Sequence, residues 1–176
     1  MNISALGKSG PRLVTIGLVC ASAVDPAAIV ESSRGEFIIS TDRARLDVDV
    51  IHKFLANSSY WAKGIPRDFV VRSIQHSLCF GIYGGSGAQV GFARVISDFA
   101  TYAYIADVFV VESHRGHGLG KFLMECIVQH PALQGMRRWN LTTRDAHQLY
   151  AQVGFTPLKI PERYMEIQQV NMYEKA

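Results

Sequence analysis

The sequence predicts a single α/β domain of the α+β kind, and three observations predict it. Of 176 residues, 48% are hydrophobic and 19% charged, which suits one globular unit with a substantial core. Short apolar runs bounded by turn formers are interspersed with stretches of helical periodicity. One apolar run, Tyr104 to Val111, passes through a glycine-rich turn straight into a helical pattern at Leu119, Phe122, Leu123, Cys126 and Ile127. No linker, internal repeat or low-complexity segment divides the chain.

Residues 1–35 differ from the rest. Lys8 and Arg12 precede an apolar run from Leu13 to Val24, a pattern that loosely resembles a signal peptide. The run is short for a membrane span, and Val19 stands where a lipoprotein signal would want a small residue ahead of Cys20. We read 1–35 as an extension outside the core, with a short added strand as a further option, and 36–176 as the domain.

From Glu36 the elements follow in order. Phe37-Ile38-Ile39 reads as a strand, and Asp47 to Ala56 as a helix with Val48, Ile51 and Leu55 on one face. Asn57 to Pro66 is a loop that holds Tyr60 and Trp61. Pro66 suits the entry to a second helix carrying Phe69, Val70 and Ile74. Leu78 to Tyr83 and Gln89 to Ile96 form a hairpin about Gly84-Gly85-Ser86-Gly87. Beyond the central strand and its helix, Pro131 stops the helix and Arg138 to Thr142 is a strand. Thr143 caps a helix whose inner face is Ala146, Leu149, Tyr150 and Val153, and Gly154 ends it. Phe155 to Leu158 and Asn171 to Glu174 read as closing strands, with a loop, Pro161 to Met165, between them.

The strand–turn–helix unit carries the chemistry. Glycines let backbone approach a ligand closely, and the first turn of a helix offers unpaired N–H groups and the positive end of a dipole. Arg115 and Lys121 add charge, so the place suits phosphate. A Walker A loop would need Ser or Thr after Lys121, where Phe122 stands, and the spacing Gly116-x-Gly118-x-Gly120 is not the dinucleotide fingerprint. A generic phosphate or nucleotide binder therefore lacks its usual partners.

Composition excludes other classes. A net charge of +3 without a basic stripe argues against nucleic acid. Cys20, Cys79 and Cys126 are odd in number and far apart, which fits small core residues in a reducing compartment. No Cys/His spacing suits zinc, and His114 and His117 read as exposed loop residues.

Arg115-x-x-Gly118-x-Gly120 behind the strand Val108-Phe109-Val110 resembles the acetyl-CoA signature of the GNAT N-acetyltransferase superfamily. Ala146-x-x-Leu149-Tyr150-x-x-x-Gly154-Phe155 resembles that superfamily's other hallmark, in the right order and about thirty residues on. The resemblance covers about four fifths of the chain, and the stretches at Arg45 to His52 and Tyr60 to Pro66 are similar to a subgroup of small single-domain members.

The resemblance implies the acyl-CoA N-acyltransferase fold, a mixed and mostly antiparallel sheet flanked by helices. Two central strands splay apart, and pantetheine lies in the gap. It implies acetyl-CoA as cosubstrate and no metal. The acceptor is a small-molecule or peptide amine, and neither nucleic acid nor membrane is a partner. The protein is then cytoplasmic, a monomer or homodimer. Val108, Phe109 and Val110 would present backbone to pantetheine. Arg115, Gly116, His117, Gly118, Leu119, Gly120 and Lys121 would cradle the pyrophosphate. Tyr150 would face the sulfur, and Thr143 stands where many members carry Asn. Asp107, the one carboxylate in the central apolar run, is the candidate base; the other reading is a structural carboxylate bonded to backbone or to an Arg such as Arg94. Strand alternation sets Asp107 opposite Val108 and Val110. The competing class is a CoA-binding sensor or interaction module without catalysis.

Overall fold

The computed structural model describes residues 25–169, 172 and 173. Residues 1–24, with the apolar run from Leu13 and Cys20, lie outside the described residues, as do both ends of the closing strand expected at Asn171–Glu174.

Six strands form one sheet in chain order: β1 Glu31–Arg34, β2 Phe37–Ser40, β3 Leu78–Tyr83, β4 Gln89–Ser97, β5 Tyr102–Val110 and β6 Arg138–Asn140. Every neighbouring pair is antiparallel except β5 and β6, which run parallel. The helices are α1 Val48–Asn57, α2 Arg67–Gln75, α3 Leu119–Gln129 and α4 His147–Ala151. This is the mixed, mostly antiparallel sheet flanked by helices that the motifs imply.

A core lies on each face of the sheet. On one, α3 packs Leu119, Phe122, Leu123 and Ile127 against Phe80, Ala93, Val95, Ala103 and Ile105. On the other, Ile51 and Leu55 of α1 and Val70 and Ile74 of α2 meet Cys79, Phe92 and Phe109. Helix α1 starts where the Asp47 carboxylate accepts the N–H groups of Asp49 and Val50, each at 3.0 Å. Pro66 stands at the N-cap of α2 with φ −65°.

Glu31–Arg34 is the short added strand, the further option for 1–35: it is the edge strand of the sheet and pairs with β2 from Glu31↔Ser40 to Arg34↔Phe37. Its sequence, Glu-Ser-Ser-Arg, is polar throughout, as edge strands often are, so no apolar alternation announces it. Conversely, Phe155–Leu158 is not a strand. Pro157 has no N–H to give a ladder, and the segment stands off from β6 across a cleft of about 660 Å³. Among the described residues no helix is long and apolar enough to cross a membrane.

Candidate active site

The site is built around an irregularity in β5. Phe92 pairs with Phe109 and Arg94 with Ala106, so one residue of β4 faces two of β5, Asp107 and Val108. Such a bulge reverses every side chain beyond it. Before it, Ala103 and Ile105 point toward α3; after it, Val108 and Val110 do, while Phe109 turns to the other core. Asp107 absorbs the change with φ 54°, a left-handed conformation that costs a non-glycine residue of order 1–3 kcal/mol.

The second irregularity is a parting of strands. β6 pairs with β5 only from Tyr102↔Arg138 to Tyr104↔Asn140. Beyond Tyr104, β5 runs on to Val110 with no strand on that side among the described residues, which leaves an open backbone edge at Val108, Phe109 and Val110. The Phe109 ring itself is buried, stacked on Phe54 with centroids 3.9 Å apart, so only its backbone is available to a ligand.

The glycine turn follows directly. The Val110 carbonyl accepts Nε–H of Arg115 at 3.2 Å, tying the strand end to the turn. Gly118 is the N-cap of α3, with φ 71° and no side-chain cap, so the first N–H groups of the helix have no side-chain acceptor from the cap. A Cβ at Gly116 or Gly118 would meet nothing within 4 Å, so the turn borders open space. Leu119 sends its side chain into the core, which leaves its N–H alone for a ligand. Lys121 is exposed on the first turn, and His117 turns its Nδ1 to the Arg115 carbonyl at 3.0 Å.

The two motifs meet: a Cβ at Gly120 would lie 3.5 Å from a Leu149 methyl, next door to Tyr150. Tyr150 is 8% exposed, its ring edge-on to Phe155, and its hydroxyl bonds to no described residue. Burial, seconded by the nearby Tyr60, Asp145 and Tyr104, pushes its pKa up to about 12. Helix α4 starts later than the sequence suggests, because Thr143 Oγ1 holds the Ala146 N–H at 3.0 Å in a turn ahead of it.

Asp107 is fully engaged. One carboxylate oxygen accepts Trp61 Nε1–H at 3.0 Å, and the other accepts Nε–H of Arg94. Arg94 also reaches Ser77 Oγ at 3.3 Å. Asp107 lies opposite Val108 and Val110 and pairs with Arg94. Sequence reading did not single out Tyr60 as a strut. Its hydroxyl accepts the Arg144 N–H at 2.9 Å, and the Arg144 guanidinium lies 3.8 Å over its ring. Neighbouring residues of one loop thus grip both strands that part, Trp61 the bulge in β5 and Tyr60 the chain just past β6. A contact between positions 84 apart leaves no local signal. The 660 Å³ cleft beyond β6 is lined by neither Tyr150 nor Asp107, so it is not the centre of this chemistry. Among the described residues no three His, Cys, Asp or Glu side chains come together to hold a metal ion.

Comparison with known proteins adds an independent line. Residues 75–157 match the acetyltransferase (GNAT) domain family. A protein of Gibberella zeae is 33% identical over an alignment of 139 residues, and the match covers 67% of this chain and 77% of that protein. A crystal structure from Xanthomonas campestris pv. campestris is 50% identical, covers 80% of this chain and 99% of its own, and superposes with a TM-score of 0.77. Both are described as putative acetyltransferases, the second as belonging to the GNAT family. Glucosamine-6-phosphate N-acetyltransferase of Arabidopsis thaliana shares the fold at 16% identity and a TM-score of 0.52, over 77% of this chain and 97% of its own.

Proposed function

Because the chain belongs to the GNAT acetyltransferase family, whose chemistry is acyl transfer, we propose that it moves an acetyl group from acetyl-CoA to an amine of a small molecule or peptide by direct attack on the thioester. The observation that carries this reading is the juxtaposition of an open β5 edge, a left-handed glycine cap and a buried tyrosine whose hydroxyl is bonded to no described residue.

The residues fit the cosubstrate. The turn at Gly116 and Gly118 borders space that a side chain would fill, at a helix start whose N–H groups point outward. Arg115, Lys121 and those N–H groups would hold phosphates, and the backbone of Val108 to Val110 would hold an extended amide-bearing arm. When bound, acetyl-CoA supplies an acetyl thioester open to attack by an uncharged amine. Tyr150 keeps its proton at neutral pH and can give it to a departing thiolate. Backbone N–H groups along the open edge would steady negative charge on oxygen. Asp107 holds the Trp61 loop and Arg94, with one hydrogen bond to each oxygen, and a role as base is the second reading for it. Use of acetyl-CoA, which the cytosol supplies, supports a cytoplasmic enzyme.

The experiment is release of free thiol from acetyl-CoA on addition of a panel of amines, alongside calorimetry with CoA. Amine-dependent thiol release supports the transferase. Tight CoA binding with no turnover on any amine would favour a sensor or interaction module instead.

A further inference from the structure

Helices α1 and α2 cover only part of their face of the sheet. Their core takes Phe92 and Phe109, and the first half of β5 is left uncovered. There Tyr102 and Tyr104, two residues apart on one strand, share a face, and Ile96 of β4 lies beside them, paired with Tyr104. Tyr60 and Trp61 stand at one end, their rings 5.0 Å apart. Tyr164 stands at the other, near Tyr102 and bonded to Arg138 at 2.8 Å. Tyr60, Trp61, Ile96, Tyr102 and Tyr164 are all 40–43% exposed, an unusual concentration of large apolar surface on one patch. The row leads inward, because Tyr60 and Tyr104 both lie near Tyr150.

The charges around this shelf are uneven. The guanidinium of Arg138 lies 5.6 Å over the Tyr164 ring and that of Arg144 3.8 Å over the Tyr60 ring. Asp107 spends both oxygens on Trp61 and Arg94, and Asp145 is exposed beside Arg144 at 3.7 Å. Among the described residues, Asp98 holds the turn beside Tyr102 and Asp145 faces Arg144, so a second positive charge on an acceptor would compete with contacts already made and would meet the Arg138 guanidinium. A neutral aromatic ring would find a floor of aromatic faces and edges to pack on.

We infer that the acceptor is a small primary amine carrying an aromatic ring, with the ring on the Tyr102–Tyr104 shelf and the amine reaching toward Tyr150, and that polyamines are poor acceptors. This rests on the acetyltransferase reading above and adds the acceptor class to it.

The test compares initial rates with acetyl-CoA and three amines: phenethylamine, n-butylamine and spermidine. The expected kcat/KM for phenethylamine exceeds each of the others by at least about tenfold. Tyr102→Ala should cut that ratio to about threefold or less through a higher KM for phenethylamine, and Tyr102→Phe should preserve it. Equal or better turnover of n-butylamine or spermidine would overturn the inference while leaving the transferase intact. So would an unchanged ratio in Tyr102→Ala. Sedimentation showing a dimer that Tyr102→Glu splits, with amine selectivity untouched, would make the shelf a self-interface and overturn it too. Failure of every amine, with CoA still bound, would remove the transferase reading and this one together.

Discussion

The indole N–H of Trp61 donates to the Asp107 carboxylate at 3.0 Å, and that bond ties the α1–α2 loop to the bulge of β5. The other carboxylate oxygen holds Arg94, whose side chain is 17% exposed against 9% for Asp107. A strained backbone, a charge pair and a loop anchor therefore converge on one residue. Removing one partner of such a pair leaves an uncompensated charge in a poorly hydrated place. Asp107→Ala should cost about 3 kcal/mol in denaturant unfolding, with a smaller loss for Asp107→Asn. If Asp107 also served as the base, a folded Asp107→Asn variant would lose turnover, whereas a purely structural role leaves the folded Asn variant active.

Gly118 tests the cosubstrate site. Its φ of 71° and the empty space around it leave room for a side chain but not a comfortable backbone. Gly118→Asp should strain the cap by about 1 kcal/mol and set a carboxylate at the end of a helix proposed to face phosphate. The expected result is a folded protein, by circular dichroism and melting, whose acetyl-CoA binding is lost in calorimetry. Unchanged affinity in the folded variant would move the phosphate site elsewhere.

Much of this architecture was legible because local pattern and burial agree. Leu78–Tyr83 is apolar at every position and buried at every position, and Val48, Ile51 and Leu55 mark one face of α1. The glycine turn and Tyr150 were legible as motifs because both depend on close spacing. What was not legible is nonlocal or polar. β1 is Glu-Ser-Ser-Arg and takes its strand character from pairing with β2 alone. The bulge at Asp107 arises from register against β4, which no run of residues announces. Pro157 interrupts a stretch whose composition otherwise suits a strand.

The edge strand makes the N-terminal boundary testable. Arg34 lies 4.1 Å over the Phe122 ring and bridges to Glu125 at 2.8 Å, and Glu31 pairs with Arg45. A chain starting at Asp25 keeps β1, whereas one starting at Glu36 loses it and bares the edge of β2. We expect a fall in Tm on the order of 5 °C for the shorter chain. Equal melting of the two would show that β1 adds nothing to the domain.

Alkaline pH should unfold the protein through its buried acids. Burial pushes Cys79, Tyr83 and Tyr150 each up to about 12, from ordinary values of 9.0 for the thiol and 10.0 for the phenols. Above their ordinary pKa values the unfolded chain has released protons that the folded one still holds, so stability falls as pH rises. The contribution is fully present below pH 9 and is lost between about 9 and 12. Denaturant midpoints measured from pH 7 to 11 should be flat at first and then decline, and Cys79→Ala should flatten the onset of the decline.

Tyr150 carries the sharpest claim about mechanism. Its ring is fixed against Phe155, yet its hydroxyl is bonded to no described residue, whereas the hydroxyls of Tyr60 and Tyr104 are bonded to Arg144 and Thr142. With a pKa pushed up to about 12 it stays protonated throughout the neutral and mildly alkaline range. A raised pKa also makes it a weaker acid toward water, so its proton goes readily only to a group as basic as itself or to one held close by. Positioned acid catalysis contributes roughly 10²–10⁴-fold, so Tyr150→Phe should lower kcat by at least about tenfold. Acetyl-CoA affinity and Tm should change little, because the ring and its packing remain. The wild-type rate should rise with pH as the acceptor amine loses its proton and should not turn down before about pH 10, since Tyr150 does not ionise there. A Phe variant that turned over at the wild-type rate would return Tyr150 to packing and leave water or another side chain to protonate the thiolate.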